Sequence, residues 1–284
     1  MKPVLTQLEF PLVSSCNLLC KGCTSFSDYN MKGIHDYTQL QHDLTVWNNR
    51  LTINGFSLHG GEPTMHPKSV EVVRFIRQLN SDAFIQIVTN GTYLIDKPEI
   101  IDVLAEVGHS LLSITLHEPN KKYTTEVKNF VLNRYNWKSS NVNTFLETDN
   151  RFYLNFATPN TFLKIFKGDY GSAKPYNNNP KDAFKNCCFN TGDNAQLHHG
   201  KLYRCHPVAL IPRMLKDWGQ LNDPDWQKYI SYKGLNQSAS DEELLNFLDS
   251  LKQSEDICSM CPSQQDSRFP GNPQWETRPI APYA

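Results

Sequence analysis

Three cysteines near the start of the chain have a spacing suited to iron. Cys16, Cys20 and Cys23 form a C-x3-C-x2-C pattern within one short segment. Thiolates are soft ligands that suit iron–sulfur clusters, and one loop can supply all three. Structural zinc sites have four protein ligands and commonly use paired C-x2-C knuckles. The trio therefore favours a four-iron cluster with one iron open to a small ligand, and zinc with a distant fourth ligand is the alternative.

A second group of cysteines lies in the last third of the chain. Cys205, Cys258 and Cys261 occur there together with the adjacent pair Cys187 and Cys188. Neighbours on an extended chain point apart, so only one of the pair can join a common site without strain. Spacing tolerates either, with a slight preference for Cys188. Four thiolates would saturate a cluster or complete a tetrahedral zinc site, and both interpretations stay open.

Two further motifs have residues suited to holding a small polar ligand. Gly60-Gly61-Glu62-Pro63 has two glycines, which allow the backbone to approach a ligand closely. Its glutamate supplies a carboxylate that can accept a hydrogen bond from an ammonium group. Thr89-Asn90-Gly91-Thr92 is the second motif. Each motif alone is a common turn sequence. The motifs indicate a ligand site only because they occur together with the three N-terminal cysteines.

The elements that position these motifs alternate between strand and helix patterns. Strands are predicted at 8–14, 56–59, 84–89, 111–116 and 152–157, and helices at 36–49, 67–79, 98–107 and 122–137. Such alternation predicts an α/β fold, specifically a partial TIM-like (β/α) barrel. All the motifs follow strands, at the end of the barrel where active sites form.

Strand alternation adds four candidates at the same end of the barrel. Ser113, Thr115 and His117 alternate along the fourth strand, and Asn155 lies on the fifth. Alternate residues face one side of a sheet, so these side chains are expected at the mouth, in contact with cofactor or substrate. Ordinary sheet packing is the alternative for each.

After residue 157 the regular alternation of strand and helix patterns ends. A linker is predicted at 168–180, a hairpin at 194–198 and 201–204, and a helix at 240–252 with a Ser240 and Glu243 capping box. We therefore expect two domains, a barrel at 1–180 and a small metal-dependent domain with a tail at 181–284.

The N-terminal motifs and their order resemble the radical S-adenosylmethionine (SAM) superfamily. The resemblance implies a 4Fe-4S cluster on Cys16, Cys20 and Cys23, with SAM on its open iron. It also implies SAM contacts from 60–63 and Asn90. This sequence departs from the family at one position, because Gly22 stands where the family usually has an aromatic residue. Phe26 or Tyr29 is the expected substitute.

The C-terminal cysteines resemble the Twitch extension of such enzymes, a shortened relative of the SPASM domain. This resemblance implies a second, auxiliary 4Fe-4S cluster. It also implies oxidative modification of a peptide or protein by hydrogen abstraction, with an electron donor such as flavodoxin or ferredoxin. The alternatives are dehydrogenation or rearrangement of a small amino sugar or nucleoside derivative, and a zinc-stabilised binding module without enzymatic activity. Since the first strand begins near residue 8, no fused peptide-recognition domain is expected, and a separate recognition protein would be a partner.

The composition of the chain argues against nucleic acid and membranes as partners. The 284 residues carry 28 Lys and Arg against 29 Asp and Glu, for a net charge of -1. This balance gives no basic surface for nucleic acid or anionic lipid. No apolar run approaches the ~20 residues that span a bilayer. Eight cysteines in a chain of this length suggest metal chemistry in a reducing compartment, so a cytoplasmic protein is expected.

Overall fold

The computed structural model describes residues 2–20, 22–117, 122–141, 143–147, 149, 151–158, 161–163, 165–168, 171–187, 189, 192–263 and 268–270. The strands are β1 (Val4–Leu5), β2 (Gln7–Val13), β3 (Thr52–Ile53), β4 (Gly55–Gly60), β5 (Phe84–Thr89), β6 (Ser110–Thr115), β7 (Lys138–Asn141), β8 (Thr144–Glu147), β9 (Phe152–Ala157), β10 (Thr161–Leu163), β11 (Asn194–His198), β12 (Lys201–Tyr203) and β13 (Arg268–Pro270). The helices are α1 (Tyr37–Arg50), α2 (Ser69–Leu79), α3 (Glu99–Val107), α4 (Lys122–Leu132), α5 (Pro180–Lys185), α6 (His206–Asp217), α7 (Gln227–Ile230) and α8 (Asp241–Ser250).

One sheet of nine strands forms the centre of the fold. Its order is β12-β11-β2-β4-β5-β6-β9-β8-β7. Neighbours from β11 to β9 are parallel, whereas β12, β8 and β7 are antiparallel additions at the two edges. The predicted α/β class is confirmed, and the five predicted strands form the middle of the parallel part.

The hairpin β11–β12 extends this sheet. Its first strand is parallel to β2, with Asn194 opposite Gln7 and Gln196 opposite Glu9. The predicted domain boundary at residue 180 therefore falls between two strands that are direct hydrogen-bonding partners. Pairing over this sequence distance has no local signal, so the sequence could predict the hairpin but not its neighbour.

Alternation divides each parallel strand into an apolar face and a polar face. The apolar faces pack against α1, α2, α3 and α4 and form the main core. These strand residues are Leu8, Phe10, Phe56, Leu58, Ile85, Ile87, Leu112, Ile114, Leu154 and Phe156. The other faces line the inside of the curved sheet and hold the candidate site described below.

Local capping sets the helix boundaries close to those expected. The Asp36 carboxylate accepts a hydrogen bond from the Gln39 N–H at 2.8 Å at the start of α1, and the predicted Ser240 and Glu243 capping box is present at α8. Helix α4 ends at Leu132, five residues before the expected end. There the chain turns, and the Trp137 indole folds back to donate to the Val131 carbonyl at 3.0 Å.

A second core joins the cysteine loop to the C-terminal region. Phe26 stacks on Phe166 with ring centroids 5.5 Å apart, and Phe166 meets Trp226 edge to face at 4.9 Å. Further members come from α6 and the segment around Met260. None of the helices that the structure describes is long and apolar enough to span a bilayer.

Candidate active site

The three N-terminal cysteines lie in one loop directly after β2. The Cys23 N–H donates to the Cys20 carbonyl at 3.1 Å, and the Phe26 N–H donates to the Cys23 carbonyl at 3.0 Å. Gly22 has a φ of 75°, a left-handed conformation that favours glycine. This explains why no aromatic residue occupies the position before Cys23. Of the expected substitutes, Phe26 packs in the second core.

The cysteine loop faces a large cavity inside the curved sheet, here called the barrel cavity. Its volume is about 1330 Å³, including its open mouth. Of the predicted residues, the lining contains Cys16, Cys20, Cys23, Gly60, Gly61, Glu62, Asn90, Thr115 and His117. Pro63, Ser113 and Asn155 do not belong to the lining. Thr144 donates to the Asn155 amide oxygen at 3.4 Å, which directs that side chain toward β8.

The two glycines of the Gly60-Gly61 pair pack against the start of the cysteine loop. A Cβ at Gly60 would collide with the Val13 carbonyl, and one at Gly61 with the Ser15 carbonyl. The Gly61 and Glu62 N–H groups donate to those same carbonyls at 2.8 and 2.9 Å. The expectation was that these glycines admit a ligand to the backbone. In the structure they admit the backbone that leads to Cys16.

The Glu62 carboxylate is buried, and both of its oxygens accept hydrogen bonds. Its Oε1 accepts hydrogen bonds from the Thr64 N–H at 3.1 Å, the Thr64 hydroxyl at 2.6 Å and the Thr89 hydroxyl at 2.5 Å. Its Oε2 accepts one from the Asn90 N–H at 2.8 Å. Burial raises the pKa of Glu62, and these hydrogen bonds oppose that rise.

Asn90 connects this carboxylate to the first cysteine. Its side-chain amide donates to the Asn17 amide oxygen at 2.9 Å and lies 3.8 Å from Cys16 Sγ. Asn17 in turn donates to the Thr92 hydroxyl at 2.8 Å. The two motifs expected at the strand ends thus form one hydrogen-bonded network with the cysteine loop.

The Cys16 thiol is held in its neutral form. Burial, followed by the nearby negative charge of Glu62, raises its pKa to about 12. A metal must therefore displace a proton to bind at this sulfur.

A set of polar side chains inside the sheet was not predicted as part of the site. Polar groups at alternate positions of β2, β4 and β5 line the barrel cavity, on the face opposite the apolar core. These residues are Gln7, Glu9, Ser57, His59 and Gln86. The alternation on β2 and β4 was available in the sequence, but single polar residues on a strand usually indicate solvent exposure.

Glu9, His59 and Gln196 form a hydrogen-bonded group in this lining. Gln196 donates to the Glu9 carbonyl at 3.0 Å, so its amide oxygen faces His59 Nε2 at 3.2 Å and accepts a hydrogen bond from it. His59 Nε2 lies 3.9 Å from the Glu9 carboxylate. Burial raises the pKa of Glu9 to about 7 and lowers that of His59 to about 4. The carboxyl group can therefore gain or lose a proton near neutral pH.

His206 adds an unpaired imidazole to the same cavity. Its ring lies 4.6 Å from that of His59. Both ring nitrogens are buried and have no hydrogen-bond partner among the described residues. Buried polar groups in proteins are nearly always paired, so a polar ligand in the cavity would complete this side chain.

Four C-terminal cysteines line a second cavity, here called the cysteine cavity. Cys187, Cys205, Cys258 and Cys261 all border this cavity. Arg204 lies in the same lining and pairs with Glu255. A cationic guanidinium stabilises thiolates nearby. Cys188, which had the slight preference from spacing, lies outside the described residues.

A third, smaller cavity lies between the other two and is here called the connecting cavity. It shares Glu9, Phe189 and Asn194 with the barrel cavity. It shares Arg204 and Cys205 with the cysteine cavity. The two cysteine groups therefore border neighbouring cavities that share wall residues, and Glu9 is one of the residues shared with the barrel cavity.

Within the described part of the chain, no three His, Cys, Asp or Glu side chains converge tightly enough to chelate one metal ion. The ligands of a cubane cluster stand farther apart than those of a single ion, because each binds a different iron atom.

The buried carboxyl of Glu9 predicts a measurable pH effect. Its folded-state pKa of about 7 exceeds the ordinary 4.5, so the ionised form is penalised only in the folded state. Stability of the wild type, relative to the Glu9→Gln variant, should fall by about 2 kcal/mol between pH 5.5 and pH 8, because each pKa unit is worth about 1.4 kcal/mol. Denaturant unfolding of both proteins at the two pH values measures this. Parallel pH profiles for the two proteins would contradict it.

The chain is similar in sequence to proteins of one known family. A model of the radical SAM superfamily matches residues 10–170. GTP 3',8-cyclase of Microcystis aeruginosa is 32% identical over 114 residues, which cover 38% of this chain and 33% of that protein. The match thus spans about a third of that curated relative.

Two solved structures are similar to this chain over most of its length. BtrN in complex with AdoMet and 2-DOIA has a TM-score of 0.51 at 17% identity, covering 92% of this chain and 94% of that chain. SuiB of Streptococcus suis bound to precursor peptide SuiA has a TM-score of 0.45 at 11% identity, covering 90% and 71%. At these identities the likenesses concern the fold alone.

Proposed function

Because the chain belongs to the radical SAM superfamily, with the family model matching more than half its length, we propose that it oxidises a small polar molecule by abstracting a hydrogen atom. The observation that carries this proposal is a row of three neighbouring cavities with shared wall residues, which lies between the N-terminal cysteine loop and the C-terminal cysteines. A substrate in the middle of that row would lie between two redox centres.

The N-terminal loop suits a cluster with one open position. Its three thiols line a cavity with room beside them, and a 4Fe-4S cluster there would supply the electron that cleaves bound SAM. The residues of the chain fix the loop: Gly60 and Gly61 support its start, and Asn90 lies against Cys16. An electron donor such as flavodoxin or ferredoxin is the expected partner.

The C-terminal cysteines suit a second cluster whose irons are all bound by protein. Cys187 takes the place of Cys188 in this proposal, because it lines the cavity with Cys205, Cys258 and Cys261. Such a cluster, if oxidised, would accept one electron from the substrate. Arg204 is buried beside these thiols, where its charge would offset the negative charge of the centre.

Glu9 is placed to take the proton that an oxidation releases. Loss of one hydrogen atom from a C–H bond leaves a substrate radical. This radical would become a carbonyl by giving the proton of its hydroxyl group to Glu9, and an oxidised cluster held by the C-terminal cysteines would accept the remaining electron. The oxidation balances, because one hydrogen atom leaves in 5'-deoxyadenosine and the second hydrogen leaves as a proton and an electron. A pKa of about 7 suits the carboxylate to this role.

The chemistry of the lining supports a polar substrate. The deep part of the barrel cavity offers Gln7, Ser57, Gln86 and His206 as hydrogen-bonding groups. A ligand with hydroxyl or amino groups would satisfy the unpaired nitrogens of His206. An amino sugar or a nucleoside derivative has such groups.

Modification of a peptide is the second candidate, and one feature of the sheet favours it. Strand β7 is the outer edge of the sheet, and all four of its residues are exposed. An extended peptide can add to such an edge through backbone hydrogen bonds. A separate peptide-recognition protein could deliver it.

The proposal is tested with anaerobically reconstituted full-length protein, SAM and a strong reductant. Deuterium-labelled amino sugars and nucleosides form one panel, and labelled peptides the other. We expect about eight irons per chain, as two cubane clusters require, and deuterium transfer into 5'-deoxyadenosine from a member of the first panel. Transfer from peptides alone would favour the second candidate. Two zinc ions, no visible absorption and no 5'-deoxyadenosine would refute both and support a binding module.

A further inference from the structure

The described wall of the barrel cavity contains carboxylates but no lysine or arginine. Its acidic side chains are those of Glu9 and Glu62. The histidines of the wall are His59, His117 and His206, and burial lowers the pKa of each below the usual 6.5, so they are neutral at pH 7. A substrate phosphate or carboxylate in this cavity would therefore meet no opposite charge from these residues.

Arg204 borders the connecting cavity, but its charge is already paired. The guanidinium forms an ion pair with Glu255 and donates to the Gln253 carbonyl at 2.8 Å. Both partners hold it on the side of the C-terminal cysteines. The charge of Arg204 is thus offset within the protein.

Glu9 is a mostly buried carboxylate without a cationic partner among the described residues. His59 Nε2 lies 3.9 Å from it, but that imidazole is neutral. The Asn194 side chain, also uncharged, hydrogen-bonds to it. Buried charges in proteins are generally paired. A cationic group on a ligand in the barrel cavity would supply the missing partner.

His206 gives a second, independent indication of a ligand. Its side chain is 2% exposed, and neither ring nitrogen has a partner among the described residues. A neutral imidazole has one N–H donor and one acceptor nitrogen. The acceptor nitrogen suits the amine of a ligand, and the donor suits a hydroxyl. Because His59 lies next to both His206 and Glu9, one small molecule can reach both residues.

We propose that the substrate carries a protonated amine beside the oxidised hydroxyl and no phosphate or carboxylate, and that His206 binds this amine with Glu9 as its counter-charge. The proposal rests on the proposed function, because it concerns the substrate of that same cavity. It narrows the substrate class to amines and excludes nucleotides. A nearby ammonium also favours the ionised form of Glu9, which is the form that can accept the hydroxyl proton.

The test measures binding by isothermal titration calorimetry, with reconstituted full-length protein and SAM but no reductant, so that no substrate is consumed. Two matched series are the probes. One is glucosamine, glucose and glucose 6-phosphate, and the other is 3'-amino-3'-deoxyadenosine, adenosine and adenosine 5'-monophosphate. In at least one series the amine should bind about tenfold more tightly than the neutral member, the effect of one charge-assisted hydrogen bond. The phosphorylated member should bind most weakly.

Two pairs of variants connect this preference to the named residues. Glu9→Gln should lower the ratio of amine to neutral affinity about tenfold, whereas Glu9→Asp, which keeps the charge, should retain a preference. His206→Phe should weaken amine binding by a similar factor, and His206→Asn, which keeps a donor and an acceptor, should recover part of it. An equal preference in the glutamine and aspartate variants would contradict the role of Glu9.

The wild-type series decide the charge preference even if a variant fails to fold. Tightest binding of a neutral or phosphorylated member in both series, or no binding of either amine at millimolar concentration, would overturn the proposal. An amine that binds selectively, in a protein that forms no 5'-deoxyadenosine after reduction, would instead refute the proposed function. Deuterium transfer from a phosphorylated sugar or nucleotide would support that function and overturn this proposal, so the two failures are distinguishable.

Discussion

Replacement of Cys20 by alanine is expected to abolish formation of 5'-deoxyadenosine from SAM. The thiol is buried in the loop after β2 and lines the barrel cavity with Cys16 and Cys23. Two remaining thiolates cannot hold a cubane with a single open iron. The rate should fall more than about 100-fold, since even residues outside a ligand set change metal affinity or activity 10–100-fold. Anaerobic assay with SAM and dithionite measures this.

The iron content of the same variant provides the control. The C-terminal cysteines lie in a different cavity, so about four of about eight irons should remain, the number in one cubane cluster. Serine at Cys20, which retains the size but not the soft sulfur, should behave like alanine. A Cys20→Ala protein that cleaved SAM at the wild-type rate would show that this loop does not hold the reactive cluster.

The second large effect is expected at the adjacent pair Cys187 and Cys188. Cys187→Ala should remove the C-terminal cluster and lower the iron content from about eight to about four per chain, one cubane being lost. The reason is that Cys187 lines the cysteine cavity with the other three thiols. Iron and sulfide analysis, with visible absorption, measures the loss.

Cys188→Ala is the matched control, because it changes the neighbouring thiol by the same chemical deletion. It should keep about eight irons, as two clusters need, and it should keep substrate oxidation. The reverse pattern, with iron lost only from the Cys188 variant, would restore the preference that spacing alone suggested. Loss from neither variant would show that the pair contributes no ligand.

Local patterns predicted the elements well, for physical reasons that can be named. The apolar spacing in α2 and the caps at Asp36 and Ser240 act within a few residues, so they are legible in the sequence. Strands β5 and β9 have the predicted bounds, because each is a short run rich in β-branched or aromatic residues. The placement of β11 beside β2 depends on a contact between distant segments, and no local pattern encodes it.

The sequence predicted the candidate site only where the functional residues lie close together along the chain. The cysteine trio is recognisable because ligands within one loop must be close in sequence. Glu9, His59 and His206 come from β2, β4 and α6, and their meeting depends on the curvature of the sheet. The hydrogen bonds of Glu62 were also not predictable, because the sequence shows an acceptor but not the donors around it.

The ring of Phe26 has a consequence for how such a chain could be rebuilt. It follows the last cysteine of the first loop, yet it is packed among residues from the other end of the chain. The two halves are thus not interchangeable modules. A chimera that joins a different C-terminal half to this barrel must provide aromatic residues that pack against Phe26. Without them, the loop that carries the first three thiols loses its packing contacts.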